Sequence, residues 1–179
     1  MKPTEGSQSS KRHKEIAATR GPVFVALLTV SDSRTVKTDV NSRYLREELR
    51  KLGHEVADYR VVKDDPEQVL SNLKEMVSGP AQFLLINGGT GISPRDTTFD
   101  VLDRLLEKPL PGFGELFRML SYQKIGSAAM ISRATAGVYR NCIVFLTPGS
   151  PHAVRLAWKY LISPELLHLA YEIGKGKKY

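Results

Sequence analysis

Short apolar runs that break off into loops of small, hydroxyl or acidic residues alternate with stretches of helical period, and this alternation constrains the fold more than any other feature. Val23 to Val30 reads as a buried strand opening into Ser31-Asp32-Ser33-Arg34. Tyr44, Leu45, Glu48, Leu49 and Leu52 then fall at helical spacing, with Gly53 as the stop. His54 to Val62 alternates as a second strand and opens into Lys63-Asp64-Asp65-Pro66, and Val69, Leu70, Leu73, Met76 and Val77 mark a second helix. Phe83 to Ile86 is a third strand running straight into Asn87-Gly88-Gly89-Thr90-Gly91. Helical patterns follow at Phe99–Leu106 and Phe113–Leu120. Val138-Tyr139 and Ile143–Leu146 form a hairpin about Arg140-Asn141, and the last strand opens into Thr147–Pro151. A closing helix carries Val154, Ala157, Trp158 and Leu161, and a short one is expected after Pro164. Strands alternating with helices imply a mostly parallel sheet covered on both faces. The expected fold is a three-layer α/β/α sandwich with one antiparallel hairpin strand, in a single domain over residues 21–173.

A net charge of +7 suggests a nucleic-acid binder until its location is considered. Residues 1–20 carry Lys2, Lys11, Arg12, Lys14 and Arg20 against Glu5 and Glu15, and residues 174–179 add Lys175, Lys177 and Lys178. The body is left close to neutral, so the basicity belongs to two solvated tails, the first of which is expected to be disordered. No stacking-aromatic pattern accompanies it, which argues against DNA or RNA as the main partner. The apolar runs are too short to cross a bilayer and the N-terminal stretch lacks a signal-peptide core, so a cytoplasmic protein is expected. Cys142 is the single cysteine, which excludes an intramolecular disulfide or a multi-cysteine metal site.

In open parallel sheets ligands bind beyond the carboxyl ends of the strands. The four loops there, Ser31–Arg34, Lys63–Pro66, Asn87–Thr98 and Thr147–Pro151, are expected to form one cleft for a polar, phosphorylated ligand. Gly88, Gly89 and Gly91 allow backbone amides to approach a phosphate, and Thr90 adds a hydroxyl; a tight strand-to-helix turn explains the same glycines. Asp96 reads either as the N-cap of a helix starting near Thr98 or as a metal-binding carboxylate. Asp64 and Asp65 read as a helix-start signal or as a companion carboxylate. Arg34, Arg95 and Arg133 are candidates for pairing with phosphates or are simply solvated. Glu115 reads as a helix-start acid or a site residue. His152 is expected on the surface, and Cys142 in the core rather than as a nucleophile.

Ser31–Thr35, Asn87–Thr98, Pro111-Gly112-Phe113-Gly114-Glu115, Ser132–Gly137 and Pro148-Gly149-Ser150-Pro151 occur in the order characteristic of one family. Over residues 22–165 the chain resembles the molybdopterin-binding domain of the MoaB/MogA family. Phe117–Ser121 and the Ala157-Trp158 region look closer to the MoaB branch. The resemblance implies adenylylation of molybdopterin by ATP with Mg²⁺ and release of pyrophosphate. It implies that Asp64 and Asp96 serve as catalytic and metal-binding acids, and that Gly88, Gly89, Thr90 and Gly91 hold the nucleotide phosphates. Ser31, Ser33, Pro148, Gly149 and Ser150 would line the shared cleft. It further implies a homotrimer or homohexamer and a downstream molybdenum-insertion protein as partner. A non-catalytic molybdopterin carrier is the alternative, and a structural scaffold a third. Ser42 departs from the pattern, standing where the family often has a helix-start glycine; Asn41 or Ser42 is expected to cap that helix.

Overall fold

The computed structural model describes residues 21–175; the expected N-terminal tail and residues 176–179 lie outside the described part. Strands β1 (Phe24–Val30), β2 (Glu55–Val62), β3 (Phe83–Asn87) and β6 (Cys142–Thr147) run parallel. Strand β5 (Thr135–Tyr139) and the two-residue β4 (Lys108–Pro109) add antiparallel. The sheet order is β2-β1-β3-β6-β5-β4. The expected α/β/α sandwich is therefore the observed one. β4 was not foreseen, because two residues carry no period and Pro109 reads as a breaker.

The two-residue alternation of the central strands feeds two cores. Val25, Leu27, Phe83, Leu85, Ile143 and Phe145 face α1 (Val40–Lys51) through Leu45 and Leu49, and on the same side meet Trp158. Ala26, Leu28, Leu84, Ile86, Val144 and Leu146 face α2 (Pro66–Val77) through Val69, Leu73 and Met76. Burial on both faces is why β1, β3 and β6 read as unbroken apolar runs, whereas the edge strand β2 is only half-buried and alternates. The β5–β6 connection places Arg140 (φ 48°) and Asn141 (φ 61°) both in the left-handed region. That is the backbone of a two-residue turn whose twist matches a hairpin.

Short α3 (Thr98–Asp103) follows β3, and α4 (Pro111–Ile125) follows β4. The closing helix differs from expectation: α5 (Pro151–Ala157) widens into a π-turn over Trp158–Ile162, then a short 3-10 turn, then α6 (Leu166–Gly174). Pro164 has no amide to continue the ladder, and the wider turn leaves Trp158 and Ile162 buried. Gly174 and Lys175, placed in the C-terminal tail by the sequence, close α6, with the Lys175 ammonium on Glu172. Among the described residues no helix is long and apolar enough to cross a membrane.

Trp158 is the only tryptophan and lies on one side of the sheet, so its fluorescence can report on the other. Leu73→Ala, fully buried on the opposite side, is expected to cost about 2–5 kcal/mol. Urea unfolding followed by Trp158 fluorescence should shift to a lower midpoint, by that loss divided by the denaturant slope m; an unmoved midpoint would mean that the two faces unfold separately.

Candidate functional site

The carboxyl ends of β2, β1, β3 and β6 stand side by side, and the register aligns Thr29 with Asn87 and Asn87 with Thr147. These polar residues end otherwise apolar strands, on the side of the sheet that faces α1. Asn41 Nδ2 donates to Asn87 Oδ1 (2.7 Å) and to the Gly149 carbonyl (2.9 Å). Asn87 Nδ2 donates to Thr29 Oγ1 (2.9 Å), and Thr29 Oγ1 donates to Asp39 Oδ2 (2.6 Å). Tyr59 supplies a further hydroxyl to the same oxygen (2.9 Å), while Asp39 Oδ1 accepts the Asn41 and Ser42 amides. Asp39, not Asn41 or Ser42, is thus the N-cap of α1. A carboxylate accepts from two amides at once, which an amide or hydroxyl does less well. Ser42, in place of the family's glycine, is buried without difficulty and turns its hydroxyl back to the Asp39 carbonyl (3.3 Å).

Burial by itself would raise the Asp39 pKa. The hydrogen bonds from Thr29, the Ser42 amide and Tyr59 outweigh it and hold the carboxyl below its ordinary 3.8. A folded value below the unfolded one stabilises the fold above the ordinary carboxylate range, and that contribution is lost as pH falls through the folded value. Asp39→Asn is expected to lose about 1.5–3 kcal/mol at pH 7 and to flatten the acid side of the stability profile. Urea unfolding at pH 7, 5 and 3 tests this; parallel pH profiles for both proteins would refute it.

The four cleft loops are joined in one cluster. Ser31 Oγ accepts the Ser33 and Arg34 amides, closing the first loop on itself, and Asp32 Oδ1 accepts the Asp64 amide (3.3 Å) from the second. Asp64 Oδ1 accepts the Thr97 amide (3.3 Å) and the Thr97 and Thr98 hydroxyls (both 3.1 Å) at the start of α3. Gly88 donates its amide to the Thr147 carbonyl (3.0 Å), and a Cβ on Gly149 would lie 3.2 Å from Gly88 Cα. Ser150 caps α5 through the Ala153 amide, and Pro148 is half-buried beside it. Ser33 remains exposed.

The loop glycines make room for the protein itself. Gly88 has φ +110°, and a Cβ there would stand 2.0 Å from the Val30 carbonyl oxygen. A Cβ on Gly89 (φ +63°) would meet Thr98 Oγ1 at 2.1 Å and Asp64 Oδ2 at 2.6 Å; one on Gly91 would meet Asp96 Oδ2 at 2.4 Å. Asp64 and Asp96 therefore both rest against this loop. Asp96 is not the N-cap of α3. That position is Thr97, and Asp96 Oδ2 instead accepts the Ser93 amide (3.1 Å) within its own turn. Asp65 is the N-cap of α2, as its helix-start reading requires. Asp64 Oδ2 and Asp96 Oδ1 accept no hydrogen bond among the described residues.

The polarity of the loop is one-sided. The amides of Gly89, Thr90, Gly91 and Ile92 have no protein acceptor among the described residues, whereas the Gly89 carbonyl accepts the Phe99 amide (3.4 Å). The Thr90, Gly91 and Asp96 carbonyls all accept from Arg133: Nε donates to Thr90 (3.1 Å), and one terminal nitrogen donates to Gly91 and, at 3.0 Å, to Asp96. The other terminal nitrogen donates to both Asp100 oxygens at 3.1 Å, and the guanidinium lies 4.8 Å from the centre of the Phe99 ring. Nε and both terminal nitrogens of Arg133 are thereby engaged within the protein, most of its donors going to the loop it holds. Gly88 is removed from the amides available to a ligand, since its N–H belongs to the sheet. Arg34 and Arg95 make no side-chain hydrogen bond or ion pair among the described residues. His152 is exposed, and Cys142 is buried with its thiol pushed up to about 12 by burial, an inert core residue. Glu115 lines a recess with Arg118, Phe99 and Arg133.

Residues 26–168 match the family model described as "Probable molybdopterin binding domain". The chain belongs to the MoaB/MogA family of molybdenum cofactor biosynthesis proteins. Molybdenum cofactor biosynthesis protein B of Bacillus subtilis (strain 168) is 48% identical over 94% of this chain and 99% of its own. A crystal structure of Molybdenum cofactor biosynthesis protein B is 45% identical with a TM-score of 0.82, covering 85% of this chain and 96% of that one. The tungsten cofactor synthesizing protein MoaB from Pyrococcus furiosus is 34% identical with a TM-score of 0.77, covering 85% and 97%. These MoaB relatives agree with the sequence signals at Phe117–Ser121 and Ala157-Trp158. The sequence reading missed Thr29 and Tyr59 as parts of the site floor. A lone threonine inside the apolar run of β1 was the available signal for the first, and nothing in the sequence singled out the second.

Two glycines of the loop should behave differently. Gly88→Ala forces a side chain into a strand carbonyl at positive φ and is expected to cost more than about 2 kcal/mol. Gly91→Ala meets only a half-exposed carboxylate, so it should cost less than about 1 kcal/mol while displacing Asp96. Thermal unfolding of the two variants tests the ranking, and equal losses would contradict it.

Proposed function

We propose that this protein adenylylates molybdopterin with ATP and Mg²⁺ and releases pyrophosphate. The observation that carries the reading is the one-sided loop: the unpartnered amides of Gly89, Thr90, Gly91 and Ile92 stand beside two carboxylates that each keep an oxygen free of protein donors. Successive free amides form a concavity suited to a phosphate. Asp64 Oδ2 and Asp96 Oδ1 are the atoms that would hold Mg²⁺, a hard cation that takes one or two carboxylates alongside substrate phosphates. Bound there, the ion offsets charge on the transferring phosphates.

The terminal phosphate of molybdopterin attacks the α-phosphate of ATP and pyrophosphate leaves, so the protein need supply no covalent nucleophile. Its work is positioning. The loop amides hold the nucleotide phosphates, while the Ser31, Ser33 and Pro148–Ser150 segments border the pterin side. The alternative is a molybdopterin carrier without catalysis. Paired carboxylates against a phosphate loop favour the transferase, since storage of a pterin needs no metal site. The reading applies equally to molybdenum or tungsten downstream, because either enters after this step.

Pterin-dependent pyrophosphate release should be measured with molybdopterin, ATP and Mg²⁺. Asp96→Asn keeps an acceptor for the Ser93 amide and is expected to bind pterin but to lose turnover by about two orders of magnitude. Wild-type turnover in that variant would reject the metal role. No release by wild-type protein with pterin bound, where an active relative turns over, would favour the carrier.

We infer also that further copies of the chain cover the exposed apolar side chains Leu116, Met119, Tyr122, Ile125 and Met130 on and after α4, in a homotrimer or homohexamer. Light scattering should return three or six chain masses, and a monomer at micromolar concentration would refute it.

A further inference from the structure

We propose that Arg133 is a positioning residue that gives the loop its anion-binding polarity and sets both candidate acids, an inference that rests on the nucleotide reading above. In a trans peptide the carbonyl of one residue and the amide of the next point in opposite directions. Arg133 takes the Thr90 and Gly91 carbonyls. The amides of Gly91 and Ile92 are therefore turned away from the guanidinium, and neither meets a protein acceptor among the described residues. Rotation of either peptide would place a carbonyl oxygen where a phosphate oxygen must sit, and like partial charges would repel.

The third carbonyl extends the same control to the carboxylates. Arg133 holds the Asp96 carbonyl (3.0 Å), and the amide on the other side of that peptide, Thr97 N–H, donates to Asp64 Oδ1 (3.3 Å). One peptide unit thus links the guanidinium to Asp64, and its first residue carries the Asp96 side chain. Arg133 is itself fixed: one terminal nitrogen lies 3.1 Å from both Asp100 carboxylate oxygens, and Phe99 lies against the guanidinium face. Only a planar guanidinium, with donors in a fixed fork, can serve three carbonyls and a carboxylate together; an ammonium offers three donors from a single point.

Arg133→Met and Arg133→Lys should be compared with wild type in the full chain, by hydrogen exchange of the 88–98 amides without ligand and by affinity for Mg-ATP and for molybdopterin. Arg133→Met is expected to speed exchange of that segment and to weaken Mg-ATP by about tenfold or more, the loss of charged hydrogen bonds worth about 1.5–3 kcal/mol. Its KM for ATP should rise more than its kcat falls, pterin affinity should stay within about threefold, and Arg133→Lys should recover part of the loss. Should Arg133→Met fail to fold, Asp100→Ala removes the anchor at an exposed position and is expected to give the same changes in smaller measure. Unchanged exchange over 88–98 overturns the proposal, as does Mg-ATP affinity equal to wild type. If wild-type protein binds neither ATP nor pyrophosphate, the nucleotide reading falls by itself, and the exchange comparison still decides whether Arg133 positions the loop.

Discussion

The architecture of the cleft depends on one buried carboxylate. Asp39 is 1% exposed and can only accept, so every group around it must donate. That fixes a direction along the chain of donors from Asn41 to Asn87 to Thr29 to Asp39, with Tyr59 joining from β2. Through these bonds the start of α1 is tied to β1, β2 and β3, and through the Gly149 carbonyl to the loop after β6. A buried carboxylate without these donors would be strongly unfavourable. With them, it sets the position of each strand end that feeds a cleft loop.

Above this floor the loops divide the tasks of acceptor and donor. Carboxylates receive the amides and hydroxyls that bind loop to loop, as Asp32 does for Asp64 and Asp64 for Thr97 and Thr98. The carbonyls of the glycine loop are gathered inward, chiefly on Arg133, and its amides are left over. Buried backbone polar groups are seldom left without partners, and of this run Thr90 is buried while Gly89 and Gly91 are half-buried, so their unpartnered amides mark the loop as the candidate site. It also recasts the glycines. Their absent side chains admit Val30, Thr98, Asp64 and Asp96, and it is this packing that leaves the backbone amides where they stand.

Much of this was legible in the residues. The apolar runs and the 3.6-residue stretches determined the element order, because burial on two faces or on one leaves a period that local sequence records. The loops at the strand ends were read as one cluster, and they do meet; the ordered motifs from Ser31 to Pro151 determined the family. Individual partners were not determined. Asp96 has the composition of a cap and lies one residue before the true N-cap, Thr97, yet its carboxylate turns back to Ser93. Arg133 stands some forty residues from the loop it holds, and Asp39 meets Tyr59 from another strand. Hydrogen bonds between groups so distant in sequence are set by strand order and register, which a period of two or 3.6 does not encode. The sequence therefore specified the main strands and helices and which loops converge; the tertiary structure alone decided the short β4, the π-turn after α5, and which amides, carbonyls and carboxylates remain free once those loops have met.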